Sequence, residues 1–303
     1  MNAPAFPIAS PKKGAKTACR PIQDGDIGAI VNLLAEGFPR RRRAYWAKGL
    51  RRMAERPPVA GCQKYGYAIV AGDAIVGCLL LIASERDAEG RRDVRVNVSS
   101  WYVRPDYRFH ASMLVSIAFR QKGVTLLNIS PAPHTIPILE AQGYRRYVPG
   151  QFVTAPAFAP ALAPGASARV MRVRPDTADR DLPGLDCADL LRRHASYGCI
   201  SLVCREGDRL EPFVFARRRV LRTILPAAQL VWCRDRDAFR RFAGPIGRHL
   251  LSRGVLMVSI DADGPMEGLR GSYRDGSGPK FFRGPEQPRL GDLADTEIAV
   301  FGA

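Results

Sequence analysis

The sequence predicts an α+β fold around a mixed sheet, present twice in the chain. Three observations carry this: a hairpin signature at residues 65–83, a helix closed by glycine and followed at once by a strand at residues 111–130, and the return of both in the second half. The Gly-Asp turns at Gly72-Asp73 and Gly207-Asp208 lie 135 residues apart, and the helix-closing glycines Gly123 and Gly254 lie 131 apart. So regular an offset suggests a tandem duplication, although hairpin, helix and strand are also a common succession of elements.

Asp24 and Asp26 precede Ile27, Ile30, Val31, Leu34 and Phe38, whose spacing marks one helical face behind a capping acid. Gly37 and Pro39 close that helix. The basic run Arg40 to Arg43 opens a second helix, with Tyr45, Trp46, Gly49, Leu50 and Met53 on one side and Lys48, Arg51 and Arg52 on the other; Pro57-Pro58 ends it. The hairpin YGYAIV, Ala71-Gly72-Asp73, AIVGCLLLIA follows, then a third strand, DVRVNVSSWYV, stopped by Pro105. A helix from Ala111 to Lys122, a strand from Val124 to Ser130 and a short helix from His134 to about Gln142 give the order β, α, α, β, β, β, α, β, α.

Residues 148–168 hold four prolines, many alanines and no charge, the composition of a connector. The expected organisation is a loose tail at 1–17, a first domain at 18–147, a linker at 148–168 and a second domain at 169–303. In the second domain, Leu185 to Tyr197 reads as a helix, CISLVC, EPFVFARRRV and AAQLVWC as strands, Asp237 to Arg253 as a helix, and VLMVSID as a strand.

The chain has 303 residues and a formal charge of +17, from 46 Lys+Arg against 29 Asp+Glu. That favours an acidic partner such as a phosphorylated cofactor, a nucleic acid or an anionic surface. Only seven of the cations are lysines, a skew that an arginine-rich composition also explains. The longest apolar run, Ala74 to Ala83, is half of what a bilayer span of about 20 residues needs. The N-terminus lacks the apolar core of a secretory signal, so a cytoplasmic protein is expected. Seven cysteines without a CxxC pair and four scattered histidines offer neither a disulfide framework nor a metal site.

The segment Trp101-Tyr102-Val103-Arg104-Pro105-Asp106-Tyr107-Arg108, at a strand-to-helix junction, resembles the "V-x-P-x-Y-R" strand end of the GNAT acyl-CoA N-acyltransferase superfamily. LEAQGYRRY, with Gly143-Tyr144, is similar to that family's closing "Y-x-x-x-G-F" piece. The resemblance implies a three-layer αβα unit with the family's mixed central sheet, the second copy being degenerate, and an acyl-CoA donor without a metal. Its loop of free amides at a helix N-terminus holds a pyrophosphate, since unpaired N–H groups and the helix dipole favour an anion. The donor residues so implied are Val103, Arg104, Arg108, Phe109, His110, Ala111, Ser112 and Met113. Ala111 and Met113 stand where the family has small residues that let backbone approach phosphate. Arg108 either steers the pyrophosphate or is a solvated turn residue, and Met113 either touches the cofactor or packs with Leu114 and Ile117.

Acyl transfer to an amine needs a base, an oxyanion donor and an acid for the leaving thiolate. The third strand offers Asn97, Ser99 and Ser100 but no carboxylate, and Leu139 stands where the family often has a tyrosine. Ser99, His134 and Tyr144 are the catalytic candidates. In the second half VWCRDRDAFRRF puts acids where anion-binding amides would be, Asp261-Ala262-Asp263-Gly264 is either a functional carboxylate pair or a turn, and Gly276 to Lys280 reads as a flexible loop with a lone cation. The expected activity is acyl transfer to the amine of a small molecule, sugar or peptide. The alternatives are a GNAT-fold protein that binds an acidic ligand without turnover, and a nucleic-acid-associated module, which lacks a recognised motif.

Overall fold

The computed structural model describes residues 16–88, 91–159, 168–220 and 225–302, and these form two compact units. The tail at 1–15 and the central part of the expected linker, 160–167, lie outside the described residues.

The first unit runs to Ile129 and takes back Arg283–Glu286. Its elements are β1 (Thr17–Pro21), α1 (Ile27–Gly37), α2 (Arg43–Ala54), β2 (Gly66–Ala71), β3 (Ala74–Ala88), β4 (Arg91–Val103), α3 (Ala111–Ala118) and β5 (Val124–Asn128). Asp26 stands at the start of α1 but, against expectation, its side chain caps no N–H of that helix; it accepts from the Gln23 N–H at 2.8 Å and clamps Arg20 of β1 through both carboxylate oxygens. The strands lie in the order β1-β2-β3-β4-β5, antiparallel except for β4 and β5, which run parallel. Ile30, Val31, Leu33 and Leu34 of α1, with Trp46, Leu50 and Met53 of α2, are buried. The returning segment is stitched to β5: the Glu286 N–H donates to Thr125 Oγ1 at 3.3 Å, and the Arg283 guanidinium lies 4.1 Å over the Phe119 ring.

The second unit comprises 130–282 and 287–303. It contains α4 (Ile136–Ala141), β6 (Arg145–Thr154), β7 (Arg169–Val173), α5 (Ala188–Ser196), β8 (Ile200–Glu206), β9 (Arg209–Val220), β10 (Leu225–Cys233), α6 (Arg236–Leu251), β11 (Met257–Ala262), β12 (Gly271–Arg283) and α7 (Glu297–Val300). Its strand order is β12-β6-β11-β10-β9-β8-β7. The five strands β7 to β11 repeat the pairing of β1 to β5, three antiparallel pairs and then one parallel pair. Phe239, Phe242, Ala243, Ile246 and Leu250 of α6 pack on Phe152, Leu202, Phe213, Phe215, Leu230 and Ile260 to form its core.

Two expectations are corrected here. The units part after Ile129 rather than at 148–168, and residues 148–154 belong to β6, flanked by β11 and β12. A strand paired on both edges and largely buried carries no charge, which in composition looks the same as a connector. Likewise Gly276 to Lys280 is not a loop but part of β12, whose register slips between Asp275 and Lys280. Gly276 and Gly278, at φ of 71° and 59°, supply the left-handed backbone of that bulge.

One close approach in α6 gives a stability test. A Cβ on Gly247 would stand 2.0 Å from the Ala157 nitrogen, whereas one on Gly244 would meet only the movable end of Arg248 at 3.1 Å. Gly247→Ala is expected to cost about 1–3 kcal/mol through overpacking, and Gly244→Ala to be neutral or stabilising by up to about 1 kcal/mol. Urea denaturation of the two variants decides, and equal midpoints would contradict the packing described.

Candidate functional site

In the first unit the parallel pairing of β4 with β5 covers only Val94–Asn97 against Val124–Leu127. Beyond it the register of β4 with β3 shifts, Val98 facing Leu81 but Trp101 facing Leu79, so an extra residue is accommodated at Ser99-Ser100. Such a bulge increases local twist and turns the strand. From Val98 to Val103 β4 has ladder partners on β3 alone, and β4 and β5 open into a cleft. The buried Asn97 closes its apex, the side-chain amide donating to the Leu127 carbonyl at 3.3 Å.

At the mouth of the cleft the expected loop of free amides is absent. Pro105–His110 is wound as a 3-10 helix that runs straight into α3, with the Tyr107 N–H donating to the Arg104 carbonyl and the Ala111 N–H to that of Arg108. No glycine stands between Arg104 and Met113, so the turn stays helical instead of opening into an anion nest. Arg104 is also engaged: its guanidinium holds both Glu36 oxygens, at 2.9 and 3.2 Å, and its N–H donates to Val76. Glu36 escaped the sequence reading, because nothing local ties the end of α1 to the end of β4. Arg108 is exposed, and Phe109, 74% exposed, has its ring 4.0 Å from that of His110. Met113 is exposed and does not share the buried position of Leu114, while Val103 is buried.

Ser99 and the eight expected donor residues thus share one strand-to-helix junction of the first unit. His134 and Tyr144 belong to the second unit. His134 is exposed in a 3-10 turn, Pro133–Thr135, and Tyr144 is buried, its N–H donating to the Leu139 carbonyl at 3.0 Å.

The second unit has the same strand geometry with a different filling. Parallel pairing of β10 with β11 ends at Gln229 and Ser259, and β10 bulges between Leu230 and Trp232. Here the freed edge is taken by the chain itself: the Leu293 N–H donates to the Val231 carbonyl at 2.7 Å, the Cys233 N–H donates to that of Gly291 at 3.1 Å, and Trp232 bridges Asp292. The filling segment is anchored by Arg193, which grips both Asp295 oxygens, and by His194 Nε2, which accepts from the Asp295 N–H.

Beside this filled cleft lies a buried polar cluster. Asp261 Oδ1 accepts from Lys280 Nζ at 2.7 Å, from Gln151 at 3.1 Å and from Gln229 at 3.4 Å, while Arg218 donates to Gln229 Oε1. Both members of the ion pair are about 1% exposed. Burial strips water from the ammonium and pulls the Lys280 pKa below its ordinary 10.5, against the attraction of Asp261. Asp261 is therefore committed to a structural pair, and Asp263 binds Arg236 at 3.0 Å, so the two acids of Asp261-Ala262-Asp263-Gly264 do not converge. All seven cysteines are free, and among the described residues no three His, Cys, Asp or Glu side chains are placed to hold a metal ion. No helix among them is long and apolar enough to cross a membrane.

No protein-family model matches the chain, and no curated relative matches it. Solved structures do. A GCN5-related N-acetyltransferase from Kribbella flavida is 14% identical, with a TM-score of 0.57 over 89% of this chain and 71% of that one. One from Anabaena variabilis is 14% identical, with a TM-score of 0.55 over 88% and 72%. The GCN5-related glucosamine N-acetyltransferase region of a fungal multi-domain GH3 beta-N-acetylglucosaminidase is 12% identical, with a TM-score of 0.53 over 89% of this chain and 38% of that one.

The buried pair makes a quantitative prediction. Lys280→Met strands the Asp261 charge and is expected to cost about 3–5 kcal/mol, whereas adding Asp261→Asn is expected to restore more than half of the loss. Because the folded state lowers the Lys280 pKa, the unfolded chain binds more protons up to the ordinary value near 10.5. Stability contributed at this site therefore rises with pH through that window. Urea titrations of wild type, single and double variants from neutral to alkaline pH check both statements; additive losses in the double variant would contradict the first, and a pH-independent difference between wild type and the double variant the second.

Proposed function

From a chain with the fold of the GCN5-related N-acetyltransferases, we propose an acyl-CoA-dependent acyltransferase that moves an acetyl or longer acyl group to an amine of a small molecule, sugar or peptide. The observation that carries the reading is the cleft between β4 and β5, with a bulge at its apex and a helix starting at its mouth. An extended donor bearing amides is taken to lie along β4 there, as the Gly291–Leu293 segment lies along β10. Arg108 is the cation left to meet the donor's pyrophosphate, since Arg104 is held by Glu36. Ala111, Ser112, Phe109, His110 and Met113 frame the mouth around it, with Val103 beneath.

In the proposed reaction the amine attacks the thioester carbonyl, the tetrahedral intermediate collapses, the C–S bond breaks and the thiolate takes a proton. Ser99, at the bulge, is the candidate hydrogen-bond donor inside the cleft. His134 and Tyr144, the expected base and acid, lie in the second unit and are given no part in this cleft. The amino-sugar activity named for the fungal neighbour supports including sugar amines among the acceptors. The tandem organisation belongs to the proposal too: one unit takes the donor, and the other, its cleft filled, takes none.

A second reading is favoured by one observation. The 3-10 winding of Pro105–His110 leaves fewer free amides than a pyrophosphate nest would offer. That suits a protein which binds an acidic ligand without turnover. Calorimetry with acetyl-CoA and a longer acyl-CoA, followed by thiol release on adding a panel of amines, separates the two. The expected result is one donor per chain with CoA release, and Arg108→Ala weakening the donor about tenfold. Two donors per chain would contradict the filled second cleft, binding without release would favour the second reading, and no binding would sink both.

A further inference from the structure

The basic run after α1 is not absorbed by the proposed chemistry. From Gly37 to Ala54 the sequence holds seven cations, Arg40 to Arg43, Lys48, Arg51 and Arg52, and no acid. Arg40, Arg41, Arg42, Arg43, Lys48 and Arg51 are exposed, and none takes an acidic partner among the described residues. Some arginines elsewhere are spent on acidic neighbours, as in the pairs Arg20–Asp26, Arg95–Asp93, Arg193–Asp295 and Arg241–Glu206; what sets this run apart is four adjacent cations with no acid among them. A run of like charges left unpaired costs self-repulsion, which a bound anion relieves.

The run is also fixed in place, at the open edge of β4. Glu36 receives bonds from Tyr102 Oη at 3.2 Å, on the part of β4 that has left β5, and from Arg104, the residue just after that strand. Gly37 lies so close under the Tyr102 ring that a Cβ would stand 2.3 Å from it, and the Phe38 ring sits 6.2 Å from the same tyrosine. The Arg41 N–H then donates to the Phe38 carbonyl at 2.9 Å. Consecutive Cα atoms are about 3.8 Å apart, so Arg40 to Arg43 begin within two residues of an anchor on the cleft strand.

The face has no apolar component with which to enter a membrane. Trp46, Leu50 and Met53 are buried, Tyr45 is covered by the Arg41 guanidinium at 4.6 Å, and only Ala44 and Ala47 share the exposed side. It also lacks the bare aromatic rings on which nucleic-acid bases stack. Four adjacent guanidinium groups oversupply charge for a single carboxylate but suit a phosphate monoester, which carries close to two negative charges near neutral pH.

We propose that Arg40 to Arg43 form the recognition surface for the acceptor, and that the acceptor is a small amine carrying a phosphate group. This rests on the acyltransferase reading and names its substrate class. The pair glucosamine and glucosamine 6-phosphate differs by that group alone and serves as the probe. At low salt the phosphorylated amine is expected to have at least about tenfold higher kcat/KM. The advantage is expected to vanish in Arg40→Ser/Arg42→Ser, and to shrink in about 0.5 M salt, while the KM for acetyl-CoA stays unchanged. Circular dichroism of the variant confirms that it is folded.

Calorimetry of each amine without donor gives a second readout. Selective binding of glucosamine 6-phosphate that the variant loses, with no CoA release, would keep the surface and overturn the acyltransferase reading. Equal turnover of both amines would keep the enzyme and overturn the surface. A variant that raises the acetyl-CoA KM equally with both amines would assign the arginines to the donor and overturn the proposal, as would failure to bind the phosphorylated amine.

Discussion

The site in each unit depends on a parallel strand pair that is allowed to form for only three or four residues. Parallel ladders need both strands to hold one direction, and a single extra residue in β4 or β10 ends that agreement. A sheet that stayed paired to its ends would have neither an open edge nor a helix mouth beside it. The same geometric fault gives opposite results in the two halves. Around β4 it ends the pairing with β5 at Asn97, and around β10 the edge is taken by a peptide segment of the same chain. Backbone shape thus provides the opportunity for binding, and the residues that later arrive at the edge decide whether it survives.

Charge is distributed by the same division of labour. A number of arginines sit in surface pairs with Asp or Glu, each worth little on its own. Lys280 and Asp261 are the costly exception, removed from water and sharing one carboxylate oxygen with two glutamines. Against that background the arginine turn after α1 stands out as four adjacent cations with no acidic partner among the described residues. A net charge of +17 therefore says less about partners than the location of the few cations left unmatched.

Much of the architecture was legible because local physics and final structure agree. The α1 face, the Gly72 and Gly207 turns, the glycines closing α3 and α6 and the parallel strands after them all follow from spacing or from φ values near 60–75°. What could not be read was set by distant partners. β6 lies beside β11 and β12, strands more than a hundred residues away, and β12 hides behind a bulge whose glycines mimic a loop. The strand-to-helix junction at Arg104–Met113 was found in the right place, yet its amides turned inward because no glycine holds the turn open. Glu36, Gln151, Gln229 and Lys280 carry no local signal at all; each becomes meaningful only once the register is known.

The filling of the second cleft also bears on how the chain can be made. β10 is synthesised before Gly291–Leu293, the segment that covers its edge in the folded chain. Until the final stretch emerges, the second sheet has a bare, apolar strand edge, the kind that recruits other chains. Among the described residues no segment pairs with β4 in that way, so the two sheets reach their final form by different routes.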